Sequence, residues 1–310
     1  MDRATVDRAM VERVRSFSRT VTQRVGALDD HFLSRDRALG ESRLLWEIGE
    51  DGCDVRRLRS GLDLDSGYVS RLLRSLEADG LVTVAPSPAD KRVRTARLTA
   101  SGMCERVELD RRADELAWSL LAPLDEHHRD RLVAAMGEVE RLLTAALVRF
   151  EVVDPTDERA RYCLREYFAE LDRRFEGGFE PGRSLATPAD ELRPPRGAVL
   201  LAALRDEPVG SAMLMFEAAG TALIKRMWLS PTVRGLGVGR RLLAALEEQA
   251  KAGGAHTIRL ETNRVLTEAI SLYRSTGYEA VEAFNDEAYA HHWFEKVLTG
   301  RHDDTRKGPE

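Results

Sequence analysis

The apolar period of this chain changes once, near Pro155, and that change limits the folds open to it. Before it, apolar residues recur at helical spacing. After it, short apolar runs alternate with turn signals. Met10, Val14, Phe17, Val21 and Leu28 fall mostly three and four residues apart, a narrow seam suited to packing on another helix. Two more helical patterns cover 101–121 and 124–150, broken at Pro123. Strand-sized runs then follow at 199–204, 209–216 and 221–229. At 310 residues the chain also exceeds the usual length of one domain, about 100–200 residues. The expectation is two domains: a mainly α part, 1–151, and an α/β part with a mixed sheet, 152–300. A polar tail, 301–310, is expected to be disordered.

Within the first part, short helices are expected at 41–48, 54–60 and 66–79. Asp65 is a suitable N-cap for the third, and Gly80 a suitable stop. Val69, Leu72, Leu73 and Leu76 fall on one face of that helix, and Tyr68, Ser70, Arg71 and Arg74 lie off it. Two short strands, 81–85 and 93–98, flank a turn carrying Lys91 and Arg92, with Arg94 just after it. Helix, turn, helix and basic hairpin is the layout of a winged helix–turn–helix. Its second helix can meet base edges in a major groove, and its hairpin can reach phosphates.

Net charge at first argues against nucleic acid, at −5 for the whole chain. Residues 1–150 hold 25 Lys+Arg against 26 Asp+Glu, a net of −1, and the rest carries −4. Residues 71–97, however, hold six basic residues against three acidic ones. DNA is read by such patches, not by totals. With its Gly80-Leu-Val run, its Ala89-Asp-Lys-Arg92 wing and its Arg97-Leu-Thr-Ala-Ser-Gly102 segment, this part resembles the MarR family of regulators. That resemblance implies a homodimer joined through its terminal helices, with operator DNA as the partner. Tyr68, Ser70, Arg71, Arg74, Lys91, Arg92 and Arg94 are the implied DNA-facing residues; for Arg92 an ion pair with Asp90 competes with that role.

The strongest chemical motif is Arg234-Gly-Leu-Gly-Val-Gly239, between a strand and a helix expected at 240–251. A glycine-rich turn there bares backbone N–H groups to an anion, helped by the helix dipole. The dinucleotide fingerprint fails because Arg240 and Leu242 stand where a third glycine would be needed, and no Gly-Lys-Ser/Thr follows for a nucleotide P-loop. What fits is Arg-x-x-Gly-x-Gly, which resembles the acetyl-CoA pyrophosphate loop of the GNAT N-acetyltransferases. Downstream, Asn263, Glu268-Ala-Ile, Leu272-Tyr273-Arg-Ser and Gly277-Tyr278 resemble the second half of that family's site, in the same order.

The resemblance implies acetyl-CoA as cofactor and a small-molecule amine as acceptor, the amine attacking the thioester directly. Gly235, Leu236, Gly237, Val238, Gly239 and Arg240, with Arg234, would hold the pyrophosphate. Met227, Trp228 and Leu229 would pair with the pantetheine arm, and Asn263 would hydrogen-bond the cofactor. Tyr273 would protonate the departing thiolate, though helical spacing with Leu266 and Ile270 also suits it to the core. Glu261, near a strand end, is the candidate base, with His291 and His292 as alternatives. Segments 175–184 and 283–292 are expected to line or cap the acceptor site; for Arg183 or Arg226, binding an acceptor carboxylate and a plain surface role both stay open.

Other classes recede. No run of 18 apolar residues exists, so no membrane span is expected. Cys53, Cys104 and Cys163 make neither a disulfide framework nor a metal site. The expected setting is the cytoplasm. Three readings stay open: a regulator that is also an active acetyltransferase, a DNA-binding regulator whose second part senses acetyl-CoA or a ligand without turnover, or an acetyltransferase whose winged-helix half only dimerises it.

Overall fold

The computed structural model describes residues 7–27, 32–87 and 90–298. Leu28 of the seam, residues 88–89 of the wing turn and the tail at 301–310 lie outside the described residues. The chain divides into two units, 1–136 and 137–310. The boundary expected from sequence, between 151 and 152, lies later in the chain.

The first unit opens with α1 (Arg8–Arg24), capped by the Asp7 carboxylate. Next come α2 (Leu39–Ile48), the short β1 (Cys53–Asp54), α3 (Val55–Leu62) and α4 (Ser66–Ala78). Strands β2 (Val82–Pro86) and β3 (Arg94–Leu98) form the expected hairpin, and β1 adds a third strand beside β3. Helix α5 (Ala100–Leu121) follows, and α6 (Glu126–Ala146) contains the division between the units. As the sequence implies, Asp65 caps α4 by accepting from Gly67 N and Tyr68 N, at 2.9 and 3.1 Å. Gly80 leaves the helix at φ +69°, a conformation that favours glycine. The apolar face of α4, Val69, Leu72, Leu73 and Leu76, packs with Leu44, Leu45 and Ile48 of α2 in one buried cluster. That burial turns the opposite, polar face of α4 outward.

The second unit is a seven-stranded sheet. Its strands are β4 (Arg149–Val153), β5 (Gly197–Leu204), β6 (Glu207–Glu217), β7 (Thr221–Leu229), β8 (Thr257–Thr262), β9 (Glu279–Val281) and β10 (His292–Val297). The spatial order is β4-β5-β6-β7-β8-β10-β9, and among the described residues only β7 and β8 run parallel. Helices α7 (Glu158–Arg174), α8 (Val238–Ala252) and α9 (Thr267–Ser275) complete it. Period-two alternation sorts them to opposite faces. Leu200, Leu214, Ile224 and Leu260 pack with Leu242, Leu243 and Leu246 of α8 and Tyr273 of α9. Val199 and Met213 pack with Ala160 of α7, and Leu201 with Cys163.

One expectation fails here. The helical pattern was expected to reach residue 150, but α6 stops at Ala146 and Arg149–Val153 is a strand paired with β5. The pairing supplies a full set of backbone partners along β5, which outweighs the local helical spacing of Leu147 and Phe150.

A second feature shapes the site. Strands β7 and β8 pair only from Thr221–Thr257 to Ile224–Leu260, although β7 continues to Leu229 and β8 to Thr262. At that point the β6–β7 register shifts between Ser211 and Met213, and Arg226 sits at φ +52°. This bulge parts the two parallel strands and opens the sheet between them.

Candidate active site and candidate nucleic-acid interface

Two hollows flank the opening. A groove of about 680 Å³ runs over the glycine turn, lined by Gly235, Gly237, Gly239 and Arg240, the end of β7 and the outer face of α9. A pocket of about 90 Å³ lies between Lys225–Met227 of β7, Leu260–Thr262 of β8, and the segments near Phe175–Phe179 and Glu287–Ala290. The two share Tyr167, Leu171, Met227, Leu266, Ala269 and Tyr273. Tyr273 therefore stands where they meet.

The groove has the chemistry that a pyrophosphate needs. Gly235 and Gly237 lie at φ +74° and +79°, which L side chains rarely adopt. Gly237 is the N-cap of α8, and the first bond of that helix runs from Arg241 N to Gly237 O. The N–H groups of Val238, Gly239 and Arg240 thus have no backbone partner among the described residues. Helix α8 begins two residues before the expected 240, so these donors form its first turn. A Cβ on Gly239 would come within 3.2 Å of Leu272 Cδ2, so glycine lets α9 close on the turn. Trp228 and Leu229 pair with β6 on one side, and beyond Ile224 no described strand pairs with the other side of β7. That free edge suits an extended, amide-bearing ligand. The donor set and the groove together fit acetyl-CoA.

Arg234 lines the groove as expected of its position, and departs from expectation in its partners. Its Nε donates to Leu229 O at 2.8 Å, and its two terminal nitrogens both bind the Glu170 carboxylate, one at 2.9 Å. Its charge is balanced within the fold. Sequence reasoning missed Glu170 because the partner lies on α7, 64 residues away. Glu170 also accepts from Trp228 Nε1 at 2.9 Å and Arg174 at 3.2 Å. Desolvation would raise its proton affinity, but the donors from Arg234 and Trp228 outweigh that and hold its pKa at about 2. Arg174 reaches on to Glu268 and the Val265 carbonyl, at 2.9 and 2.7 Å. This network fixes one wall of the groove.

Asn263 also departs. Its Nδ2 donates to Tyr289 O at 2.7 Å, and its Oδ1 accepts from Val265 N at 3.1 Å. It lines the pocket and not the groove, because its amide ties the end of β8 to the 283–292 segment.

In the pocket, Glu261 and Lys225 form a buried ion pair, and Asn285 Nδ2 donates to the second Glu261 oxygen at 3.2 Å. Asn285 in turn accepts from Trp293 Nε1 at 2.9 Å. The candidate base thus lines the pocket, with both oxygens engaged. His291 and His292 line neither hollow. Burial, reinforced by the Glu261 charge, pushes the Tyr273 phenol well above its ordinary value and keeps it protonated. Burial does the same for Tyr167, which sequence reasoning missed. Both expected lining segments are present. Phe175 and Phe179 pack against Tyr289 with tilted rings, and the Tyr289 hydroxyl accepts from Glu180 N at 2.9 Å. Arg226 lines the pocket, whereas Arg183 lies over the Tyr289 ring outside it.

In the first unit, α4 exposes Tyr68, Ser70, Arg71 and Arg74, with the Arg71 guanidinium 5.7 Å from the Tyr68 ring centre. Lys91, Arg92 and Arg94 are exposed on the hairpin. Arg92 is paired with Asp90, which accepts from its Nε at 3.3 Å and its backbone N at 2.9 Å. Helix α1 buries none of its residues, leaving Met10, Val14, Phe17 and Val21 exposed. No described helix is long and apolar enough to cross a membrane, and no cluster of metal-ligating residues occurs among the described residues.

Comparison with known proteins matches both parts. The acetyltransferase (GNAT) family model matches residues 164–278, and the MarR family model residues 36–93. An IAA acetyltransferase of Azospirillum brasilense is 42% identical over 59 residues, 19% of this chain and 39% of that protein. An uncharacterized N-acetyltransferase of Schizosaccharomyces pombe is 32% identical over 130 residues, 40% of this chain and 77% of that protein. The chain thus spans well under half of the first relative and about three quarters of the second. Among solved structures, a GNAT acetyltransferase from Staphylococcus aureus is 15% identical with a TM-score of 0.41, covering 49% of this chain and 100% of its own. The PaiA N-acetyltransferase from Thermoplasma acidophilum, solved with coenzyme A, is 16% identical with a TM-score of 0.39, covering 48% and 98%.

Proposed function

Since the chain belongs to the GNAT acetyltransferase family and carries a MarR-family segment ahead of that region, we propose a bifunctional protein: an acetyl-CoA-dependent N-acetyltransferase of a small amine that also binds duplex DNA as a homodimeric regulator. The regulatory part comprises the helices and hairpin up to α6, and the transferase part the sheet that begins with β4. The observation that carries the transferase reading is the meeting of groove and pocket at Tyr273.

When bound, acetyl-CoA supplies the thioester whose acetyl group passes to the amine. The N–H groups of Val238, Gly239 and Arg240 hold its pyrophosphate, with the Arg240 side chain beside them. The free edge of Met227–Leu229 holds the pantetheine arm. Arg234 acts indirectly, by locking Glu170 and the Leu229 carbonyl in place. The Tyr273 hydroxyl, kept protonated by burial, holds the proton that a leaving thiolate needs, and the proton that the acceptor nitrogen loses on acylation restores it. Glu261 is engaged by Lys225 and Asn285, so its proposed role is to balance the buried Lys225 charge and fix that wall of the pocket. Confining the amine at the junction supplies proximity.

The test is a screen of amines for acetyl-CoA-dependent release of CoA by the full chain. Release with at least one amine is expected. Tight acetyl-CoA binding without release for any amine would favour the sensing reading. On the regulatory side, exposed Arg71 and Arg74 beside Tyr68 and Ser70 support a base-reading helix, and Lys91 and Arg94 a phosphate-binding wing.

A further inference from the structure

Arg226 has no hydrogen bond or ion pair among the described residues. Its guanidinium lies over the Phe168 ring, 5.3 Å from the ring centre. It is half-buried, and its backbone sits at φ +52°, a strained position for a long side chain. A guanidinium does not escape burial by losing its proton, so an unpaired one in a pocket calls for an anion.

The same pocket holds the opposite need. Glu287 accepts at Oε2 from Ser184 Oγ and Leu185 N, both at 2.9 Å. Its Oε1 is buried and has no partner among the described residues. Thr187 Oγ1, also lining the pocket, is likewise buried and unpartnered. The Glu287 charge is near enough to act on Arg226, yet no ion pair joins the two among the described residues. The other two charges of the lining, Lys225 and Glu261, neutralise each other. What remains is one unpaired cation and one open carboxylate oxygen, in a space of about 90 Å³ walled by Phe175, Phe179 and Tyr289. A buried polar atom left without a partner is costly, so each of these groups favours a ligand that completes it.

We propose that the acceptor is an amino acid, its carboxylate held by Arg226 and its amine by Glu287 Oε1. The aromatic wall takes its side chain. A lone amine would leave Arg226 unpaired, and a lone carboxylate would leave Glu287 Oε1 open; a small molecule bearing both satisfies the two at once. Guanidinium and carboxylate match in a planar, two-bond geometry. The fate of the bound amine rests on the acetyltransferase reading, but its recognition does not.

The experiment is calorimetric titration of the full chain with the twenty L-amino acids, with and without saturating CoA. Each ligand that binds is then repeated as its methyl ester, which keeps the amine and loses the carboxylate charge. At least one amino acid is expected to bind about tenfold or more tightly than its ester. Arg226→Gln is expected to remove that preference, Arg226→Lys to restore part of it, and Glu287→Gln to weaken acid and ester alike. Acetyl-CoA affinity within about threefold of the parent chain, taken with an unchanged far-ultraviolet spectrum, shows the variants to be folded. No binding of any amino acid in either condition would overturn the proposal. So would equal binding of acid and ester, or a preference that survives in Arg226→Gln. If amino acids bind as expected and no CoA is released on turnover, the acetyltransferase reading fails and the recognition proposal stands.

Discussion

Glu170→Gln tests whether the network behind the glycine turn holds the second unit together. The carboxylate takes bonds from Arg234, Arg174 and Trp228. Those donors lower its pKa from an ordinary 4.5 to about 2 despite desolvation. At 1.36 kcal/mol per pH unit, that fall corresponds to about 3 kcal/mol at neutral pH. A glutamine keeps the size, loses the charge and turns an NH₂ toward donors that need an acceptor. For a unit of this length, about 3 kcal/mol is a loss of roughly 6–12 °C in Tm. The pH dependence has a definite sign. A depressed carboxylate stabilises fully above its unfolded value and loses the effect as pH falls toward its folded one. The gap between parent and variant should therefore fall to about 1.5 kcal/mol at pH 3. Urea unfolding followed by circular dichroism at pH 7 and pH 3 measures it. A gap under about 1 kcal/mol at pH 7, or an equal gap at both pH values, refutes the reasoning.

Tyr273→Phe should lower kcat by about a hundredfold and leave the Kd for acetyl-CoA within about threefold; equal losses in both would assign the residue to packing alone. Arg71→Ala should relax base preference at one operator position by about 1–3 kcal/mol, measured by competition between operator variants. Lys91→Ala should instead weaken all sequences alike and reduce the slope of log K against log salt by about 1. Val14→Asp should convert a dimer to a monomer in sedimentation without lowering helix content, since Val14 is 63% exposed in the single chain. A dimer that persists would move the interface away from α1.

Much of this fold was readable because its signals are local. Asp65 and Gly80 punctuate α4 from within a few residues, and the glycine turn lies between a strand and a helix of clear period. Strand β4 was not readable, since five residues cannot separate a period of 2 from one of 3.6 when Leu147 and Phe150 extend the helical pattern. The groove's glycines were legible, and the partners of its arginine were not: Arg234 meets Glu170 across 64 residues. Asn263 has the same lesson, its amide closing on Tyr289, 26 residues on. The bulge at Arg226 carries no glycine or proline, so nothing in the sequence announces it. Yet that bulge parts β7 from β8 and presents Arg226 to the pocket. The unfilled Glu287 oxygen was hidden for a similar reason: only its surroundings reveal that it lacks a partner.

The central claim is that the turn at Gly237 holds the acetyl-CoA pyrophosphate on the open N–H groups of α8. Calorimetric titration of acetyl-CoA into the full chain, its Gly237→Asp variant and its Gly237→Asn variant tests it most directly. Nothing lies within 4 Å of a Cβ at Gly237, and both residues tolerate its φ of +79° better than most, so the pair differs chiefly in charge. An aspartate there would put its carboxylate over the donors that the pyrophosphate needs. The parent chain should bind acetyl-CoA, Gly237→Asp should lose about a hundredfold in affinity, and Gly237→Asn should lose no more than about tenfold. Equal affinities for the parent chain and Gly237→Asp would contradict the account.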